Sequence, residues 1–263
     1  MSASRLEADA REPAAAKASS PATPAPPVGS SGEAIALPET WSDHRRKRLW
    51  RAALVFGILA IAAFGIDLPI ARYFHDAGER ALPRSLQKLI ILSEVFAHGT
   101  GVACLLLVMW VLDRRHRRSV LRIACCAFCA GIAADLVKLS VARLRPYRHL
   151  PVASIWESFV GWLPILAADV QGARFDSSMQ SFPSAHTATG VGFAIGLSMQ
   201  YPHGRWLFAS LAVMAASQRV LVSAHYVSDC LMGAALACVL ASFFHGSGRI
   251  SQRLHLFEST SSV

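Results

Sequence analysis

Residues 44–66 read HRRKRLWRAALVFGILAIAAFGI: His44-Arg45-Arg46-Lys47-Arg48, then an apolar stretch from Leu49 to Ile66. Crossing the hydrocarbon of a bilayer takes roughly 20 apolar residues, and this run with its flanks is long enough. A basic cluster beside a span stays on the cytoplasmic side. The stretch therefore predicts a helix that enters a membrane from the inside. The rest of the 263-residue chain agrees in composition, with 53% hydrophobic residues, 16% charged residues and a formal charge of +9. Soluble domains carry about 25% charged residues, and the mean hydropathy here is +0.38. An apolar, basic chain of this kind is a poor soluble nucleic-acid module, whose basic face would need a polar body behind it. No nucleic-acid partner is expected.

Upstream, residues 1–43 are rich in Ala, Pro, Ser and Gly, as in Pro21-Ala22-Thr23-Pro24-Ala25-Pro26-Pro27. They hold few side chains able to offset the entropy of ordering, so a disordered cytoplasmic tail is expected. With no apolar h-region, the tail does not read as a secretory signal. Its six acids (Glu7, Asp9, Glu12, Glu33, Glu39, Asp43) outnumber Arg5, Arg11 and Lys17. The positive balance thus belongs to residues 44–263, which form the expected membrane domain.

Downstream, further apolar stretches fall at about 91–112, 119–142, 184–200, 205–223 and 226–245. Asp113-Arg114-Arg115-His116-Arg117-Arg118 separates the second from the third. A loop so rich in Arg belongs on the same side as residues 44–48, and two intervening spans put it there. Six transmembrane helices in an all-α bundle, with both termini cytoplasmic, satisfy every basic loop. Residues 67–90 and 143–183 then lie outside. The piece Ile155–Leu163, with Trp156 and Trp162, is too short to span, and reads equally well as a packed loop or an interfacial helix. The six cysteines all fall inside predicted spans, so Cys125-Cys126-x-x-Cys129 reads as small residues packing between helices rather than as a metal or redox motif.

Three polar islands sit at the outer ends of these spans, where ionisable side chains are costly and mark function. Lys138-Leu139-Ser140-Val141-Ala142-Arg143-Leu144-Arg145-Pro146 places two cations, Lys138 and Arg145, seven residues apart, two helical turns, and so on one face. Arg143 points elsewhere, and Asp135, one turn before Lys138, is a local charge partner. Ser181-Phe182-Pro183-Ser184-Ala185-His186 offers a capped helix N-terminus, which favours an anion, with a histidine beside it. Ser217-Gln218-Arg219 followed by His225-Tyr226-Val227-Ser228-Asp229 gives a third cation and a His–Asp pair at i,i+4, on one helix face within hydrogen-bond reach. Each island alone has a bland reading: snorkelling bases, an ordinary cap, a packing pair. Together they supply what phosphoryl transfer needs: fixed cations, N–H donors, a nucleophile and an acid. No carboxylate cluster points to catalytic Mg²⁺, so neither a metal nor a cofactor is expected.

At these residues the chain resembles the type 2 phosphatidic acid phosphatase (PAP2) superfamily, which includes bacterial acid phosphatases and vanadium haloperoxidases. That superfamily's signatures are Lys, six residues, Arg-Pro; Pro-Ser-Gly-His; and Ser-Arg, five residues, His, three residues, Asp. Lys138 to Pro146 matches the first. Pro183 to His186 matches the second with Ala185 in place of Gly. Arg219, His225 and Asp229 match the third with Gln218 in place of Ser. The resemblance spans about residues 50–245.

It implies a PAP2/haloperoxidase-like helical core in which His225 attacks phosphorus, Asp229 holds its imidazole and His186 protonates the leaving group. Lys138, Arg145, Arg219, Ser184 and the amides near Ala185 would bind the phosphoryl oxygens, and vanadate would act as an inhibitor rather than a cofactor. The expected activity is a lipid phosphate or pyrophosphate phosphatase in a bacterial inner membrane, its site facing outward, its partners the bilayer and the lipid substrate. Undecaprenyl pyrophosphate, phosphatidic acid, phosphatidylglycerol phosphate and lipid A phosphate all fit, with an inclination to isoprenoid pyrophosphate or phosphatidate. A lipid phosphotransferase and a non-enzymatic anion or lipid transporter are the alternatives. Oligomeric state is not encoded in any feature read.

Overall fold

A computed structural model of the protein describes residues 39–78, 81–150, 153–163 and 177–259. The expected tail, up to residue 38, lies outside the described residues. Helix α1 (Glu39–Ala77) begins inside the stretch assigned to that tail and runs on through the expected outer loop as far as Ala77. There follow α2 (Arg84–Leu92), α3 (Gly99–Leu112), α4 (Ser119–Lys138), strand β1 (Val141–Arg143), the short α5 (Pro146–His149) and strand β2 (Phe159–Trp162). The chain closes with α6 (Ala185–Gln200), α7 (Arg205–Leu221), α8 (Val227–His245) and α9 (Arg249–Ser259).

The architecture is helical, with one correction. β1 and β2 pair antiparallel, Val141 opposite Trp162 and Ala142 opposite Gly161. Residues 155–163 are therefore a single 3₁₀ turn followed by a strand, not an interfacial helix, although Trp156 and Trp162 remain largely exposed.

The helices pack through small residues and turn large ones outward. On α1, Ala53, Ala60, Ala63, Asp67 and Ala71 are buried, at helical spacing, while Leu54, Val55, Ile58, Leu59 and Ile61 are exposed. α1 lies along α8, and α6 lies against α4, α7 and α8. Two glycines show how close these helices come. A Cβ on Gly192 would sit 2.1 Å from the carbonyl oxygen of Cys126, and one on Gly233 would sit 2.5 Å from that of Ser184. Close backbone approach at small residues, with branched aliphatics on the outer face, is how helices associate where lipid replaces water. In water the same outer face would be an aggregating surface. The cysteines are free, and buried Cys126 packs with Leu49, Ala241 and Phe244 where α4 meets α1 and α8.

By length and composition, α1 from Asp43, α4 and α8 are able to cross a membrane. α2 and α3 meet the same test only as one span bent by 69°. α6 and α7, at 16 and 17 residues, are shorter. The bend between α2 and α3, at Ser93–His98, turns one polar edge toward the ends of α6 and α7, where the three islands gather.

Candidate active site

Backbone hydrogen bonds join the three sequence islands directly. Ser181 N–H donates to the Arg143 carbonyl at 3.0 Å, Ser184 N–H to the Asp229 carbonyl at 3.0 Å, and Tyr147 N–H to the Ser223 carbonyl at 3.2 Å. Segments more than 30 residues apart thus share one framework.

Within the first island, α4 stops at Lys138 and the chain turns at Leu139–Ser140 into β1. Lys138 and Arg145 therefore do not share a helix face. Pro146 opens α5 and holds Arg145 extended (φ −74°, ψ 150°), because proline excludes the helical conformation from the residue before it. Lys138 is buried and its Nζ donates to Asp135 at 2.8 Å.

In the second island, Ser184 caps α6. Its hydroxyl accepts from Thr187 N–H at 3.3 Å and from the Thr187 hydroxyl at 3.1 Å. The first intrahelical bond runs from Ala188 N–H to the Ser184 carbonyl, so the N–H groups of Ala185 and His186 come before it and face the helix's positive end. Ala185 sits in helical backbone, where a Cβ costs nothing, so the Gly-to-Ala difference carries no strain.

The third island differs from expectation in one respect. His225 precedes α8, in the turn after Ser223, which adopts φ +53°. Its Nδ1 lies 2.7 Å from the Ser181 carbonyl and 3.6 Å from the Asp229 carboxylate. A carbonyl only accepts, so Nδ1 carries the proton and Nε2 keeps its lone pair. The direct orienting bond is thus to the backbone of the second island, with Asp229 behind it at more than hydrogen-bond distance.

Asp229 is itself tied down. It accepts from the Ser181 hydroxyl at 2.6 Å, from Tyr226 N–H at 2.9 Å and from Arg143. Arg143 also bonds Asp67 at 2.9 Å, Ser158 at 3.1 Å and Ser228 at 2.7 Å, and its guanidinium lies over the rings of Phe64, Phe159 and Tyr226. Asp67, on α1, accepts from Ser228 N–H at 2.9 Å and from the Ser228 hydroxyl. Arg143, Asp67 and Asp229 are fully buried. Burial also pushes His225 below the usual histidine range, Asp229 opposing, and favours the neutral imidazole a nucleophile requires.

In front of His225 lies a different cluster. Glu94, in the turn between α2 and α3, accepts from Arg219 at 3.1 Å and from the Gln218 amide at 3.2 Å, and lies 3.5 Å from His186 Nε2. Gln218 also accepts from Arg219 at 3.2 Å. The His98 ring stacks edge-on to His186 at 5.5 Å. Arg145 is near enough to both Arg219 and His225 for its charge to act on them, as Lys138 is to His186 and His225. Three polar atoms here, Arg145 Nε, Arg219 Nε and His186 Nε2, are buried without a hydrogen-bond partner among the described residues. Unpaired buried donors cost about 1–3 kcal/mol each unless something binds them. Two of the three are permanently cationic, so an anion is the ligand that relieves them.

Sequence reading named His186, Arg219, His225, Asp229, Lys138, Arg145, Ser184 and Ala185, and all lie in this region. It missed Glu94, His98, Asp67 and the role of Arg143. A signal for Glu94 existed, since an acid inside a predicted span marks function.

The PAP2 superfamily profile matches residues 119–251, half of the chain. The chain is 30% identical over 106 residues to a lipid A 1-phosphatase of Rhizobium johnstonii, covering 40% of this chain and 38% of that protein. It is 29% identical over 107 residues to the lipid A 1-phosphatase of Rhizobium etli, covering 40% of each. The match spans about two-fifths of the length of these relatives. No solved structure matches the chain.

Proposed function

The chain belongs to the PAP2 superfamily, and from that premise we propose that it is a membrane phosphatase that removes a phosphate from a lipid through a phosphohistidine. The observation that carries this reading is the set of buried, unpaired donors on Arg145, Arg219 and His186 beside a histidine whose Nδ1 is fixed by a carbonyl. His225 Nε2 attacks phosphorus in line, forming the N–P bond as the bond to the leaving oxygen breaks. That oxygen takes the electron pair and a proton from His186. Water then attacks the phosphohistidine, giving its proton to His186 and releasing phosphate and free His225. Lys138, Arg145, Arg219 and the N–H groups at the start of α6 hold the phosphoryl oxygens, donors of the kind worth about 10²–10³ in rate each. The Ser184 hydroxyl serves as the cap of α6, and through it sets where those N–H groups point.

In the bilayer, the six apolar segments act as six spans, with α6 and α7 short and both termini cytoplasmic. The site then faces the outer side of a bacterial inner membrane. The relatives' names shift the preferred substrate from isoprenoid pyrophosphate or phosphatidate toward lipid A 1-phosphate or a similar sugar-linked phosphate. Purified protein assayed against lipid A, undecaprenyl pyrophosphate, phosphatidic acid and phosphatidylglycerol phosphate tests this, with free phosphate and phosphorylated lipid both measured. Free phosphate from lipid A above the others supports the reading. A newly phosphorylated lipid instead would make the protein a phosphotransferase. His225→Ala should lower release at least ~10³-fold with unchanged thermal unfolding, and retained release would overturn the mechanism.

A further inference from the structure

His186 has to hold a proton before it gives one to a leaving oxygen. The groups that face it are Glu94 from the α2–α3 turn, His98 at the start of α3, Lys138 at the end of α4, Arg219 on α7 and His225 in the α7–α8 turn. Burial first, and then the fixed cations Arg219 and Lys138, oppose a positive charge on His186. Glu94 is the acid among these groups. Its carboxylate does not swing freely, because Gln218 Nε2 holds one oxygen at 3.2 Å and Arg219 holds the other at 3.1 Å. The oxygen on Arg219 is the one that lies 3.5 Å from His186 Nε2, the ring nitrogen that lacks a hydrogen-bond partner among the described residues. Arg219 in turn spends one terminal nitrogen on Glu94 and Gln218 and leaves Nε unpaired. Its guanidinium is thereby shared, one edge for the carboxylate and one for an arriving phosphate.

The geometry points to Glu94 as the positioning residue for His186: clamped by Gln218 and Arg219, it stabilises the imidazolium and so keeps the acid loaded for the leaving oxygen. This rests on the phosphatase reading above. Gln218, which departs from the Ser-Arg of the superfamily signature, belongs to the same device, since its amide reaches both Glu94 and Arg219 while a serine hydroxyl is two atoms shorter. Glu94 exchanges no proton with substrate. In the first step the proton leaves His186 Nε2 for the oxygen departing from phosphorus. In the second it returns from the attacking water.

The test compares two leaving groups on the full-length protein in detergent. A lipid phosphomonoester expels an alkoxide and needs the proton, whereas 4-nitrophenyl phosphate expels a phenolate that does not. Glu94→Gln should lower kcat on the lipid phosphate by about 10–100-fold and move the alkaline limb of its pH profile down by about one unit. On 4-nitrophenyl phosphate kcat should fall less than about threefold, and Glu94→Asp should recover part of the lipid activity. Equal losses on both substrates would show that Glu94 serves only Arg219 and phosphate binding. No loss, or a gain, would show a carboxylate merely occupying an empty anion pocket. Either result overturns the assignment. A second readout is independent of turnover: the His186 ring, followed by NMR, should titrate at lower pH in Glu94→Gln than in the unsubstituted protein, and identical titrations would also overturn it. If the unsubstituted protein releases no phosphate, or His225→Ala still does, the phosphatase reading itself fails, and this assignment with it.

Discussion

Arg143 and Arg145 stand two residues apart in one strand-and-turn segment, yet they belong to different kinds of region. Arg143 lies behind His225, where Asp67, Asp229, Ser158 and Ser228 answer its N–H groups and three aromatic rings close over it. Arg145 lies in front, beside Arg219, and each keeps a buried Nε with no partner among the described residues. The rear cluster is fully buried with one guanidinium held between two carboxylates, while the front one is built short of acceptors. A charge network that is complete holds a fold in place, because removing one member strands the others. One left incomplete stores affinity for the missing ligand.

The largest expected effects break this comparison in opposite directions. Arg143→Leu leaves Asp67 and Asp229 buried and uncompensated, so it should destabilise the protein by about 3–5 kcal/mol, read as a marked fall in Tm in detergent. Arg219→Ala should lower kcat/KM by about 10²–10³ while leaving Tm close to unchanged, and inorganic phosphate or vanadate should raise its Tm less than it raises that of the unsubstituted protein. If Arg143→Leu unfolded normally while Arg219→Ala melted early, the division into holding and binding regions would be reversed.

A smaller effect concerns His225, which sits on the border between the two. Burial lowers its proton affinity, so in the native protein it stays neutral at pH values where an unfolded histidine would already be charged. The unfolded chain then binds more protons below the ordinary histidine range of about 6.5, and His225 costs stability as pH falls through it. For activity the sign is favourable. The acid limb of kcat/KM, which reports the free enzyme, should lie below pH 6.5, once ionisation of the substrate itself is subtracted. A limb at or above 6.5 would mean that Asp229, 3.6 Å from Nδ1, dominates over burial.

How much of this was legible in the sequence follows from where each contact is encoded. Four of the six apolar segments predict helix bounds within a few residues, those of α4, α6, α7 and α8, whereas α1 overruns Leu49–Ile66 at both ends and the segment at 91–112 is broken at Ser93–His98. The three islands are visible because motif spacing survives in the chain. Two local inferences failed for a shared reason: both extended a helix past its end. Lys138 and Arg145 were placed on one face although the chain turns at Leu139, and His225 and Asp229 were placed on one helix although α8 starts at Val227. Helix termini depend on tertiary partners, here the Ser158 carbonyl that takes Leu144 N–H and the Ser178 carbonyl that takes Arg145 N–H, and no local pattern announces those. Asp67 and Glu94 were missed because each partners residues more than 70 positions away. A lone acid at the edge of an apolar run reveals that it is unusual but not what it meets.

The smallest expected effect sharpens the comparison from the far end of the bundle, where the same chemistry is used only to hold loops. Asp113, just past α3, accepts from the Tyr201 hydroxyl at 2.6 Å and from the His116 ring at 2.8 Å, tying the α3–α4 loop to the end of α6. The tyrosine bond, then that from His116, draws the Asp113 carboxyl down to about 2. A depressed carboxyl contributes stability above its unfolded value near 3.9, and that contribution is lost as pH falls through its folded one. Tyr201→Phe removes the larger of the two causes. By NMR the Asp113 carboxyl should titrate closer to its unfolded value, with Tm at neutral pH slightly lower and phosphate release unchanged. Because this carboxylate is partly solvated, the stability change should be the smallest in the series. A loss of turnover in Tyr201→Phe would mean that the basic end of the bundle is coupled to the site, and that the front cluster is not the only region of the protein that senses its substrate.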